Sequence, residues 1–424
     1  MERYKEYKPS NVQWIGEIPK HWEIKQLRSF LNLFTEKGHG DAQLLSVTRE
    51  QGVIERDKED KEENHNYVPE DLSGYKYIEK GDFAINKMKA WQGSYAVSDF
   101  NGIVSPAYFT CKLRGVDKSF FSRAIRSKAY IPFFTQYSKG IRVGQWDLNP
   151  AALKTIPFFL PPLDEQEEIV SYLDSKTATI DVYVADKEKE VQLLNELKET
   201  EIAKVVTQGL DPDVKMKDSG IPWIGMIPEH WESIRFATLC KLKSICNCPE
   251  EELLSVYLGR GVIRFSDENN KRTNPTSKDL SKYQLVEIGD FVLNNQQAWR
   301  GSVGVSMFRG IISPAYFIFS LSPMVNTIFA DYLFQSKAYV EYYYICSKGI
   351  GSIQRNLDWS KLKQKRIFLP PLDEQEDIVD HIENKCSKIN SLIFELEAEI
   401  EYLKEYKQRL IADCVTGQIN VQQL

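Results

Sequence analysis

The chain has 424 residues, 42% hydrophobic and 27% charged, with a net charge of −6, which is enough apolar material for two or three packed domains and excludes a disordered polyelectrolyte. Seven cysteines without paired spacing fit a reducing compartment rather than a disulfide framework. No run of 18 apolar residues is present and Met1-Glu2-Arg3-Tyr4-Lys5-Glu6 lacks a signal-peptide core, so the expectation is a cytoplasmic protein without a membrane partner.

Taken in chain order, the sequence repeats itself. Trp14-Ile15-Gly16-Glu17-Ile18-Pro19-Lys20-His21-Trp22 returns as Trp223-Ile224-Gly225-Met226-Ile227-Pro228-Glu229-His230-Trp231. Leu44-Leu45-Ser46-Val47 returns as Leu253-Leu254-Ser255-Val256, and Ser105-Pro106-Ala107-Tyr108-Phe109 as Ser313-Pro314-Ala315-Tyr316-Phe317. Within each copy, short apolar or alternating runs between glycines and asparagines predict strands at Asp82–Ile85, Gly102–Val104 and Ala107–Thr110, with counterparts at Phe291–Leu293 and Ile311–Ile312. One helix is predicted near Lys118–Ser127 and again near Met324–Ser336, and Arg49–Asn66 reads as an exposed charged loop. The unit is therefore a small α+β domain.

Each copy closes on a Leu-Pro-Pro-Leu-Asp-Glu-Gln-Glu stretch, Leu160–Glu167 and Leu369–Glu376, offset by 209 residues. The prolines end what precedes them, and Asp164 with Glu167, like Asp373 with Glu376, has capping-box spacing, so a long helix follows in each copy. Apolar residues then recur at 3/4 spacing: Leu173, Ile180, Val184, Val191, Leu194 and Ile202 in the first helix, and Ile382, Ile389, Ile393, Leu396, Ile400, Leu403 and Leu410 in the second. Gly209 and Gly417 supply the left-handed stops. The expected architecture is two tandem globular α+β domains, 1–160 and 210–369, each followed by a long helix, 161–209 and 370–424. The helices are expected to pair as an antiparallel coiled coil with internal pseudo-two-fold symmetry.

Charge is segregated along the chain. Residues 164–205 and 373–414 each carry 5 basic against 12 acidic side chains, a net of −7 apiece. Residues 23–156 carry 20 against 17 and residues 232–365 carry 17 against 12, leaving +3 and +5 on the globular parts, which are free to meet a polyanion.

Divergence between the copies concentrates in polar loops. Asn86, Lys87, Lys89 and Trp91 stand opposite Asn294, Gln296, Gln297, Trp299 and Arg300, and Arg142, Gln145 and Trp146 opposite Gln354, Arg355 and Asn356. Arg, Lys, Asn and Gln suit phosphates and base edges, so these are the candidate DNA-binding residues. Catalytic patterns are missing: the sequence has no GxxxxGK[ST] and no GxGxxG after a strand. Ser105-Pro106-Ala107-Tyr108 lacks the amide of an amino-methyltransferase motif. Cys240, Cys246 and Cys248 fall short of a zinc site and are expected to be buried or inert.

The Ile18-Pro19-x-x-Trp22 opening, the Leu-Pro-Pro-Leu-x-Glu-Gln helix starts and the tandem layout together resemble the DNA-specificity subunit of type I restriction-modification systems. The resemblance implies that the globular domains 1–160 and 210–369 are target-recognition domains, each reading one half of a split double-stranded DNA site, that unlike loops make the site asymmetric, and that the helices dock two methyltransferase subunits. It further implies that S-adenosylmethionine, ATP and magnesium belong to those methyltransferase subunits and to restriction/translocase subunits, leaving this chain without cofactor, metal or active site of its own. A protein-binding coiled-coil adaptor is the alternative.

Overall fold

The computed structural model describes residues 2–57, 68–142, 145–267, 279–350 and 354–423. Two compact units emerge, Met1–Glu188 with Ala398–Leu424, and Lys189–Glu397, so each unit takes in part of both long helices rather than leaving the helices as domains of their own.

The first unit is built around an antiparallel sheet in the order Leu31–Phe34, Tyr108–Leu113, Phe83–Asn86, Tyr95–Val97. Alternation puts Phe83, Ile85, Tyr95 and Cys111 on one buried face, where they meet Phe120, Phe121, Phe134 and Phe158. Fully burying one such side chain stabilises by roughly 1.5–3 kcal/mol. The helix predicted near Lys118–Ser127 spans Lys118–Arg126, and its Asp117 cap accepts from Phe120 N at 2.7 Å. A second helix, Ile131–Tyr137, follows it and was not legible, being seven residues long. The strand Glu23–Gln26 pairs with Pro157–Leu160, so the segment before Pro161-Pro162 closes the domain onto its own start.

The expected loop after Arg49 is a correction. Gly52–Glu55 pairs with Leu45–Thr48 as a hairpin, because Leu45, Val47 and Val53 bury together with Ala84 and Ala96. Residues 58–66 of that predicted loop lie outside the described residues.

The second unit repeats the plan with the sheet Cys240–Lys243, Tyr316–Leu321, Phe291–Asn294, Val303–Val305, the closing pair Glu232–Arg235 with Arg366–Leu369, and helices Thr327–Gln335 and Lys337–Ile345.

The long helices span Leu163–Gln208 and Leu372–Val415. They do not start on capping boxes. Pro162 and Pro371 accept from Gln166 N and Gln375 N at 2.9 and 3.0 Å, which places Asp164 and Asp373 inside the first turn, where carboxylates favour the positive end of the helix dipole. The stops are as expected, with Gly209 at φ +74° and Gly417 at φ +71°. In the first unit Asp181 meets Lys407 at 2.6 Å and Glu188 meets Lys404 at 3.1 Å. In the second, Lys198 meets Asn390 at 3.0 Å and Glu201 meets Lys385 at 2.6 Å. Numbers rise on one helix as they fall on the other, so the pairing inside each unit is antiparallel. Leu173, Ile180, Ile382, Ile389, Ile400 and Leu410 are buried, and Val184, Val191, Leu194, Ile202, Ile393, Leu396 and Leu403 are half-buried.

The Glu-Gln of each helix start ties helix to domain. Glu165 is buried and accepts from Tyr4 Oη at 2.5 Å and Trp22 Nε1 at 3.0 Å, with His21 Nε2 at 2.8 Å. Burial and that hydrogen bond push the Tyr4 phenol far above the ordinary tyrosine range, so it stays a donor. Gln166 accepts from Asp117 N at 3.0 Å and donates to Pro161 O at 2.9 Å. Glu374 receives Trp231 Nε1 at 3.1 Å and lies 2.7 Å from His230, and Gln375 accepts from Asn326 N at 2.8 Å. Each core is completed by the far end of the other repeat's helix. Leu410, Cys414 and Val415 join the first core, whereas Val205 and Val206 join the second.

Candidate nucleic-acid interface

In each unit a strand end, a tight turn and a hairpin come together. Asn86 ends its strand and its Oδ1 accepts from Met88 N at 3.2 Å, an Asx-turn that feeds the short helical turn Ala90–Gln92 and Gly93 at φ +95°. Its Nδ2 donates to Tyr108 Oη at 3.2 Å, which explains the tyrosine of the Ser-Pro-Ala-Tyr repeat. Asn294 does the same with Gln296 N at 3.0 Å and Tyr316 Oη at 3.3 Å, before Gly301 at φ +99°. Both asparagine side chains are thus engaged in the scaffold that the copies share.

The hairpin Ser138–Arg142/Gln145–Leu148 packs on this turn in the first unit. Leu148 N donates to Lys87 O at 3.1 Å, Lys87 Nζ lies 3.2 Å from Asp147, and the Trp91 and Trp146 rings sit 4.9 Å apart at 34°. Trp91 Nε1 is buried without a partner among the described residues, a donor that a ligand acceptor could satisfy. Lys89 and Met88 are exposed at the tip.

The second unit keeps the frame and changes the chemistry. The hairpin Ser347–Ile350/Gln354–Leu357 docks through Leu357 N, 2.9 Å from Asn295 Oδ1. Arg355 stands where the first unit has Trp146, its guanidinium 4.3 Å from the Tyr344 ring and 6.0 Å from Trp299. Arg300 lies 5.2 Å over the other side chain of the set, Trp299, whose Nε1 donates to Gln296 O at 3.1 Å. Arg355 Nη2 donates to Ser347 O at 3.2 Å while its Nε is buried and finds no partner among the described residues. Gln296, Arg300 and Asn356 are exposed, and Gln297 is half-buried. An arginine resting over a tyrosine ring offers a preorganised fork to a guanine edge or a phosphate, whereas a tryptophan pair offers apolar surface. The side chains of Arg142, Gln145 and Gln354 lie outside the described part of the structure.

The sequence loops that diverge are therefore brought together, 86–93 with 138–148 and 294–301 with 347–357. What sequence reading missed is the support beneath them: Tyr108 and Tyr316, and Thr135, whose Oγ1 donates to Trp91 O at 3.1 Å and whose place in the second copy is taken by Tyr344. Among the thiols expected to be buried or inert, Cys240 is buried at a strand start, whereas Cys246 is exposed in the loop after that strand and Cys248 is half-buried.

A repeated α+β recognition module, each copy leading into a long antiparallel-paired helix, defines a class, and a family model confirms it. Residues 19–193 and 228–402 both match the type I restriction modification DNA specificity domain, and the chain belongs to that family. The chain is 25% identical over 449 residues to the putative type I restriction enzyme MjaX specificity subunit of Methanocaldococcus jannaschii, with 98% of each chain covered. It is 24% identical to the MjaVIII specificity subunit of the same organism, covering 100% of this chain and 99% of that one. A solved structure titled for complex assembly and conformational transition of the type I R-M system shares the fold at a TM-score of 0.62 and 15% identity, covering 95% of this chain and 99% of that chain. Among the described residues, no helix is long and apolar enough to cross a membrane.

Proposed function

We propose that this chain is the sequence-reading subunit of a type I restriction-modification complex, each unit reading one half of a split, asymmetric site in double-stranded DNA. The observation that carries this reading is that one scaffold, twice repeated, presents unlike side chains at the same turn-and-hairpin junction: Trp91 with Trp146 in one unit, and Trp299 with Arg300 and Arg355 in the other. The chain reads and does not catalyse. S-adenosylmethionine belongs to two methyltransferase subunits, and ATP with magnesium to restriction/translocase subunits.

The long helices are the docking element for the methyltransferase subunits. Acidic helices repel a phosphate backbone, and their outward apolar residues, Leu193, Leu197 and Phe394 in the second unit and Val182, Tyr183 and Tyr402 in the first, fit protein partners. Phe394 is 73% exposed, far more than a solvated helix gains from.

Mapping methylated bases in cells carrying the whole complex tests the proposal. The expected result is one split motif with two unlike halves. A complex that binds no DNA in a gel shift and leaves no split motif would overturn it in favour of the coiled-coil adaptor.

A further inference from the structure

Lys37, Lys76 and Lys87 are far apart in sequence and meet at one edge of the first unit. Tyr77 N donates to Glu36 O at 2.8 Å and Gly38 N to Ser73 O at 3.2 Å, which lays Lys37 beside the strand carrying Lys76. Lys76 Nζ donates to Tyr108 O at 2.6 Å, and Tyr108 is in register with Asn86, the neighbour of Lys87. Lys37 is exposed and the other two are half-buried. Burial first, then the charges of Lys37 and Lys87, hold the Lys76 ammonium below the ordinary lysine range. Among the described residues, Asp147 lies 3.2 Å from Lys87 in a solvent-facing pair that a stronger anion can replace, while the Glu36 carboxylate lies 2.9 Å from His39.

The second unit builds the same edge without the charges. Leu285 N donates to Ile245 O at 2.7 Å and Asn247 N to Ser281 O at 2.9 Å, which sets Cys246 in the place of Lys37. Gln284 Nε2 donates to Tyr316 O at 2.9 Å, just as Lys76 donates to Tyr108 O. Asn295 O accepts from Leu357 N at 3.3 Å where Lys87 O accepts from Leu148 N at 3.1 Å. The backbone pattern survives the change to Cys, Gln and Asn, so the fold does not need the lysines. A cluster of like charges that the fold does not need, placed beside the divergent turn, serves an anion.

We propose that Lys37, Lys76 and Lys87 form a phosphodiester clamp that the second unit lacks at its equivalent positions Cys246, Gln284 and Asn295, so that the two half-sites contribute unequally to the salt dependence of binding. The inference rests on the DNA-reading function proposed above. An ammonium donates up to three hydrogen bonds, so Lys76 can hold a phosphate oxygen while keeping Tyr108 O.

The test uses the complete complex with its methyltransferase subunits and a fluorescein-labelled duplex of random sequence, followed by anisotropy over a salt series. The variant Lys37→Ser/Lys76→Gln/Lys87→Asn carries neutral side chains like those of the second unit. Its log–log salt slope is expected to flatten by about 1.8–2.7, two to three phosphates at roughly 0.9 each. A control with three exposed lysines near the N-terminus replaced, Lys5→Gln/Lys20→Gln/Lys25→Gln, should keep the parental slope. The reciprocal variant Cys246→Lys/Gln284→Lys/Asn295→Lys should steepen it, and decides the matter if the first variant does not fold. A parental slope that is steep yet unmoved by either variant, or moved equally by the control, overturns the clamp and leaves the DNA reading standing. A parental complex that does not bind the duplex at low salt overturns both.

Discussion

Glu165 and Glu374 occupy equivalent places, and the structure makes them unequal. Replacing Glu165 by alanine orphans Tyr4 Oη and Trp22 Nε1, and Trp22 is fully buried while Tyr4 is 9% exposed. A buried donor left unsatisfied costs about 1–3 kcal/mol, so the pair costs about 4 kcal/mol, with His21 adding little because it is half exposed. At Glu374 the equivalent of Tyr4 is Asp213, which offers no donor, and the carboxylate side chain is 26% exposed. Only Trp231 Nε1 is orphaned there, at about 2 kcal/mol. For units of this size, each kcal/mol moves a melting midpoint by about 2–4 °C, so Glu165→Ala is expected to lower its transition by about 8–16 °C and Glu374→Ala by about 4–8 °C. Scanning calorimetry of the full chain, with tryptophan fluorescence assigning transitions, measures both. Glu165→Gln keeps an oxygen where Oε1 accepts from both Tyr4 Oη and Trp22 Nε1, and should recover most of the loss. A Glu374→Ala deficit as large as that of Glu165→Ala would refute the reasoning.

Gly417→Ala is expected to destabilise by about 2–4 kcal/mol, because it combines a left-handed φ with a Cβ only 2.2 Å from the rigid Pro19 ring, whereas Gly209→Ala meets the movable Glu374 carboxylate at 3.0 Å and should cost about 1 kcal/mol; urea titration of each variant compares them. Asp331 is held above the ordinary aspartate range by burial, so protonation favours the folded state and its ionisation costs stability as pH rises from the unfolded value of 3.8 through the folded one. Asp331→Asn should therefore stabilise the chain at neutral pH and lose that advantage below pH 3.8, and equal melting shifts at both pH values would contradict this. Exchanging residues 23–156 for the matching segment of a relative is expected to change one half of the methylated motif and leave the other, as read by sequencing of methylated bases; a change in both halves would refute modular reading.

Repeats, helix stops and charge segregation are written locally and could be read directly. Gly209 and Gly417 end helices because the left-handed backbone they adopt is cheap for glycine alone, and Phe83-x-Ile85 alternates because a strand has a period of two. The spacing of Asp164 and Glu167 misled, because the Pro162 carbonyl had already started the helix and the carboxylate fell inside the first turn. The candidate loops were legible as the places where two copies of one scaffold disagree. That Trp91 lies on Trp146 and Arg355 near Trp299 was not legible, since hairpin and turn are joined by packing across some fifty residues of chain. Nor could the sequence tell which helix end completes which core, or that Lys37, Lys76 and Lys87 share one edge. Local pattern fixes dihedrals and faces through hydrogen bonds a few residues long, whereas the partners of a face are chosen by burial over the whole chain, and only the folded molecule brings those distant residues together.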